Sequence, residues 1–186
     1  MSEQGQLDLA DPVEPTDHVI GTAHAPITLV EYGDFECPNC KQAAPAVKLL
    51  LERFAGHVRF VFRHFPLEEV HPHAVLAAEA AEAAGGQRKF WQMHDLLFAK
   101  QPHFKRNQLL TYAKQLELDV VRFTDDLDDH IYLQRVREHE ITGQESGVRA
   151  TPTFFINGKI QDVSFGLQAL ERAIQALSGA PHPASG

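Results

Sequence analysis

The chain has 186 residues, 44% hydrophobic and 23% charged, the proportions of an ordinary globular protein that buries one core. Its 17 Lys and Arg against 25 Asp and Glu give a formal charge of −8, which repels phosphate backbones and anionic lipid surfaces and so excludes nucleic acid and membrane as natural partners. No apolar run approaches the roughly 18 residues that span a bilayer. Residues 1–10 lack a basic stretch followed by an apolar one, so the expected location is cytoplasmic.

Residues 1–25 are polar, contain prolines and show no periodicity, which predicts a flexible N-terminal leader, with the folded domain over 26–178. Ile27–Tyr32 is a β-branched and apolar run closed by Gly33 and reads as a buried strand, whose alternation puts Glu31 on the face of Ile27 and Leu29. From Pro38 a helical pattern carries Ala43, Ala44, Val47, Leu50, Leu51 and Phe54 at 3.6-residue spacing, with Pro45 expected to kink it. Val58–Arg63 alternates as a second strand, and strand–helix–strand order implies a right-handed parallel crossover.

Residues 72 to 146 carry helical stretches at 74–84, 89–100, 108–116 and, with breaks, 120–145. Beyond them Thr153–Ile156 and Ile160–Val163 flank Asn157-Gly158, the strongest short hairpin signal. A last helix over 167–177 aligns Leu167, Leu170, Ile174 and Leu177, and the Gly, Pro and Ser of the tail at 179–186 predict disorder. The expected fold is α/β, a four-stranded mixed sheet with helices on both faces and a helical insertion between the second and third strands.

Only two cysteines are present, in the motif Cys37-Pro38-Asn39-Cys40. A disulfide staple gains most by closing a long loop, and this pair closes a very short one, so its value lies in chemistry or in metal binding. Standing after a strand and at a helix start, Cys37 faces unpaired first-turn amides and the positive end of the helix dipole. Lowering a thiol from ~8.5 to ~7 takes about 2 kcal/mol, and a helix terminus supplies ~0.3–1, or ~2 at best. Cys37 is then the candidate nucleophile and Cys40, one turn inward, the resolving thiol. Asp34 and Glu36 bring negative charge beside Cys37, and Asn39 brings none of the opposite sign, which points to a moderate oxidant.

The competing reading is a structural zinc domain, which needs two further ligands such as His71 and His73. His64 and His94 sit in patterned segments but are expected to pack or to hydrogen-bond. Phe60, Phe62, Phe90, Trp91 and Phe98 fit a core or a substrate groove. The acidic Asp125–Asp129 stretch lacks the glycine and terminal glutamate of a calcium loop and reads as a solvated face.

Five segments in order resemble the DsbA-like branch of the thioredoxin superfamily over about residues 16–178: Glu31 through Cys40, Phe62 through Leu67, His71 through Ala74, Phe90 through Asp95, and Gly147 through Gly158. The resemblance implies a thioredoxin-like fold and a protein disulfide oxidoreductase without a dissociable cofactor or metal. Its partners would be thiol- or disulfide-containing proteins or small thiols, and the chain a monomer. It also implies a cis bond before Pro152, with Thr151 offering its backbone to an extended substrate beside Pro38 and Asn39, and a buried acid, Glu31, behind Cys40. The chain departs from the strongly oxidising members in its Pro-Asn dipeptide and in showing no export signal. In a reducing compartment such a fold would reduce, isomerise or sense disulfides, and a redox-sensing protein-binding module with little turnover is the alternative.

Overall fold

Two runs of alternating β-branched and aromatic residues form the middle of the sheet. In the computed structural model, which describes residues 8–179, strands β2 (Ile27–Gly33) and β3 (Val58–His64) pair in parallel, from Ile27 opposite Val58 to Gly33 opposite His64. Successive side chains leave a strand on opposite faces. Ile27, Leu29, Phe60 and Phe62 enter a larger core, and Val30, Tyr32 and Val61 enter a smaller one. Both faces being covered, the strands read as near-continuous apolar runs.

The crossover between them is helix α1 (Pro38–Arg53), which starts with proline at its first position, where a missing N–H costs nothing, and contains Pro45. It turns Cys40, Ala43, Val47 and Leu50 into the larger core. The insertion follows as α2 (Ala74–Gly85), α3 (Phe90–Lys100), α4 (Arg106–Gln115), α5 (Val120–Asp128) and α6 (Leu133–Glu145). Strand β4 (Thr153–Ile156) then pairs antiparallel with β2, and β5 (Lys159–Gln161) pairs antiparallel with β4. Their two-residue turn places Asn157 at φ 47° and Gly158 at φ 79°, the left-handed pair that a type I′ hairpin requires. Helix α7 (Gln168–Ser178) closes the fold with Leu170 and Ile174 buried.

Two expectations are corrected. The sheet has five strands in the order β1-β3-β2-β4-β5, because His18–Ile20 forms an edge strand, β1, antiparallel to β3. The segment 8–25, expected to be a flexible leader, is therefore docked. Its physical reason is Arg63, 1% exposed on the smaller-core side of β3, whose guanidinium must find acceptors where it is buried. The N-terminal segment supplies them. Arg63 donates to both Asp17 carboxylate oxygens (3.0 and 2.8 Å), to the carbonyls of Asp11 (2.8 Å) and Pro12 (2.9 Å), and to the Tyr32 hydroxyl (3.1 Å). Leu9 is buried in the same core, and the Asp8 N–H donates to the Gly158 carbonyl at 2.9 Å. Residues 1–7, and the expected tail beyond Gly179, lie outside the described residues.

The insertion is fastened to the sheet through one carboxylate. Glu82 of α2 pairs with His18 of β1 (2.9 Å), His64 of β3 (2.8 Å) and Arg135 of α6 (3.0 Å). Burial opposes the charge, but hydrogen bonds from His18 and His64 hold the Glu82 carboxyl well below the usual carboxylate range.

Asp17→Ala strands a buried guanidinium, and removing one partner of such a pair costs about 3–5 kcal/mol. The expected outcome is a lower urea midpoint with an unchanged slope, and a mutant as stable as the parent would show that the segment before β1 does not hold the sheet.

Candidate active site

Strands β2 and β3 end level, and the Phe65 N–H donates to the Gly33 carbonyl at 2.8 Å. The loops leaving both strands thus start side by side at the carboxyl end of the parallel pair, where open α/β sheets place their sites. Asp34 to Cys37 carry the chain from β2 into α1.

Asp34 organises this turn. Its N–H donates to Cys40 Sγ (3.5 Å) and its carbonyl accepts from the Cys37 N–H (3.1 Å). Its wholly buried carboxylate accepts from the N–H groups of Glu36 (2.7 Å) and Leu67 (2.9 Å) and pairs with His71 Nδ1 (2.7 Å). Glu36 reaches the same neighbouring loop, accepting from the His73 N–H (2.7 Å) and pairing with His73 Nδ1 (3.2 Å). From the end of α3, Gln101 Nε2 donates to the carbonyls of Phe35 (2.6 Å) and Cys37 (3.0 Å).

The two thiols, both free, differ in surroundings. Cys37 occupies the N-cap of α1, 5% exposed, and its thiol donates to the Thr151 carbonyl at 3.4 Å. Interaction with the Cys40 thiol lowers the Cys37 thiol to about 5, against the effect of burial, and the Thr151 side chain and the N–H groups of Cys40 and Asn39 add to the lowering. This exceeds what the helix terminus alone was expected to give. The acids expected to oppose it, Asp34 and Glu36, are engaged by histidines and backbone amides. Cys40 is fully buried, and burial first, then the Cys37 thiol and the charges on Glu31 and Cys37, push its thiol far up. Glu31, 3% exposed, is raised to about 8 by burial and then by negative charge at Cys37.

The structure brings Cys37, Cys40, Glu31 and Thr151 together. Pro38 and Asn39 lie exposed on the first turn of α1, and the Thr151–Pro152 peptide is cis. His71 and His73, weighed as zinc ligands, are held by Asp34 and Glu36. His64 and His94 are buried, and burial pushes both down; His64 pairs with Glu82, away from the cysteines. Phe60, Phe62, Phe90 and Phe98 are core residues, and Phe60 and Phe98 also line, with Trp91, a groove of about 710 Å³ beside α1. Sequence reasoning missed the two histidine clasps and Gln101. The clasps had a signal, since Asp34 and Glu36 are two residues apart and so are His71 and His73. Gln101 had none.

Glu31 binds a proton in the folded protein that it has lost in the unfolded chain between about 4.5 and about 8, so its contribution makes stability fall as pH rises through that window. Cys37, lowered, acts with the opposite sign over an overlapping range. The difference between parent and Glu31→Gln, both reduced, isolates the acid. The variant is expected to gain on the order of a few kcal/mol relative to the parent between pH 5 and 8 in chemical denaturation; parallel profiles would mean that Glu31 is not held neutral.

Residues 13–176 match the family model described as thioredoxin. Among solved structures, oxidised BdbD from Bacillus subtilis superposes with a TM-score of 0.80 at 26% identity, over 88% of this chain and 94% of that one. A thioredoxin-like oxidoreductase from Silicibacter pomeroyi DSS-3 gives 0.74 at 25% identity, over 90% and 95%. The thiol-disulfide exchange protein α-DsbA2 of Wolbachia pipientis, at 21% identity, shares the fold with a TM-score of 0.77 over 91% of this chain and 90% of that one. Among curated relatives, a protein of Salinispora arenicola named Na(+)/H(+) antiporter NhaA 1 is 50% identical over 172 residues, 92% of this chain and 26% of that protein. The chain spans about a quarter of the length of the curated relatives it matches, and among the described residues no helix is long and apolar enough to cross a membrane. A family match from residue 13 to 176, together with the fold shared with BdbD, means that this chain belongs to the thioredoxin family.

Proposed function

We propose that the chain exchanges disulfides with protein or small-thiol substrates through Cys37 and Cys40. The observation that carries the reading is the Cys37 sulfur, lowered to about 5 at the start of α1 and hydrogen-bonded to the carbonyl that precedes Pro152. In the reducing direction the Cys37 thiolate attacks one sulfur of a substrate disulfide, forming a mixed disulfide and releasing the other sulfur as thiolate. Cys40 then gives up its proton and attacks the Cys37 sulfur. The internal disulfide forms, the second substrate thiolate leaves, and two electrons have passed to the substrate. The reverse sequence oxidises a substrate dithiol.

Each step has a residue that supports it. Cys40 stays a thiol until the mixed disulfide forms, because burial holds its proton. Glu31 is held protonated by burial and by negative charge at Cys37; the mixed disulfide removes that charge, which favours the ionised carboxylate, and in this form Glu31 accepts the Cys40 proton. The exposed Pro38 and Asn39 and the Thr151-Pro152 backbone form the surface on which an extended substrate lies.

A Cys37 value near 5 lies between those of thioredoxin, about 7, and DsbA, about 3.5. A low value stabilises the reduced form, so the potential is expected between about −270 and −120 mV. Equilibration in defined glutathione buffers measures it. In an insulin-reduction assay Cys37→Ser falls to background, whereas Cys40→Ser accumulates a mixed disulfide visible by mass. Turnover by Cys37→Ser at the parent's rate would overturn the assignment.

A further inference from the structure

We propose that Gln101, carried by the helical insertion, is a positioning residue for Cys37: its side-chain amide sets the backbone on which the thiolate depends. The inference rests on Cys37 being the nucleophile. A carboxamide nitrogen has two protons to donate, and Gln101 directs its nitrogen to two backbone carbonyls, those of Phe35 at 2.6 Å and Cys37 at 3.0 Å.

The second acceptor matters most. The Cys37 carbonyl also accepts from the Lys41 N–H at 3.2 Å, the first backbone bond of α1. Fixing that carbonyl fixes the peptide plane between Cys37 and Pro38, and with it the aim of the Asn39 and Cys40 N–H groups that lower the Cys37 thiol. Lys41 returns the contact, its ammonium donating to the Gln101 carbonyl at 3.4 Å. The amide also places positive hydrogen ends against two carbonyl oxygens whose negative ends otherwise stand close to a thiolate. Asp34 with His71, and Glu36 with His73, hold the opposite side of the turn, so a truncated Gln101 loosens the turn without releasing it.

Gln101→Ala and the near-isosteric Gln101→Glu test this, using thiolate ultraviolet absorbance against pH, the glutathione equilibrium and the melting midpoint. The expected result for Gln101→Ala is a raised Cys37 titration, with about tenfold less thiolate at a fixed pH below the midpoint, and a less oxidising equilibrium. Gln101→Glu, which sets a carboxylate against both carbonyls, shifts both further. Variants that titrate as the parent does, whether or not their melting point drops, overturn the proposal and leave the Cys37 reading standing. A parent thiol that titrates at the ordinary cysteine value overturns both.

Discussion

A buried carboxylate at the end of a central strand is the interaction on which the rest of the site depends. The three polar groups of Asp34 serve three purposes: the N–H faces Cys40 Sγ, the carbonyl takes the Cys37 N–H, and the carboxylate ties the turn to Leu67 and His71. A carboxylate out of water is costly unless its lone pairs are used, and two backbone amides and an imidazole use these. The constraint runs both ways. The turn cannot shift without leaving a charge unpaired, so the sulfurs stay where the first turn of α1 directs its amides.

The buried carboxylates of this fold illustrate how surroundings decide charge. Glu31 and Glu82 are equally buried, at 3% exposure. Glu31 lies among apolar side chains and near sulfur that becomes negative, so burial keeps its proton. Glu82 meets two histidines and an arginine, so it is ionised and joins β1, β3, α2 and α6. Among the described residues one acid has no ion-pair partner and keeps its proton, and the other is a fastener because it is paired.

The sheet centre, α1, the hairpin and the helical block were legible because each has a local signature: a β-branched and apolar run in β2, alternation in β3, 3.6-residue spacing in α1, and a two-residue turn with a left-handed requirement. Edge strand β1 was not legible. Three residues carry no period, and what docks them is a charge buried some forty residues later at Arg63. Within the site, Cys37 and Cys40 announced themselves by spacing, whereas Glu31 came from the family resemblance, with strand alternation giving only its face. The lowering of Cys37 exceeds the expectation because the sequence shows the helix start but not the Cys40 thiol and the Thr151 side chain that folding sets against the sulfur, while Asp34 and Glu36 pair with His71 and His73.

That commitment gives the helical insertion a function beyond enlarging the core. His71 and His73 stand just before its first helix, and Gln101 follows its second. Together they contact the backbone or side chain of Asp34, Phe35, Glu36 and Cys37. A strand–helix–strand unit alone presents a cysteine at a helix start flanked by two unneutralised acids, an arrangement that holds a thiol protonated. The insertion supplies the imidazoles that engage those acids and the amide that holds the carbonyls of Phe35 and Cys37, so residues 71–101 fasten the turn on which the Cys40 thiol and the first-turn amides meet the Cys37 sulfur.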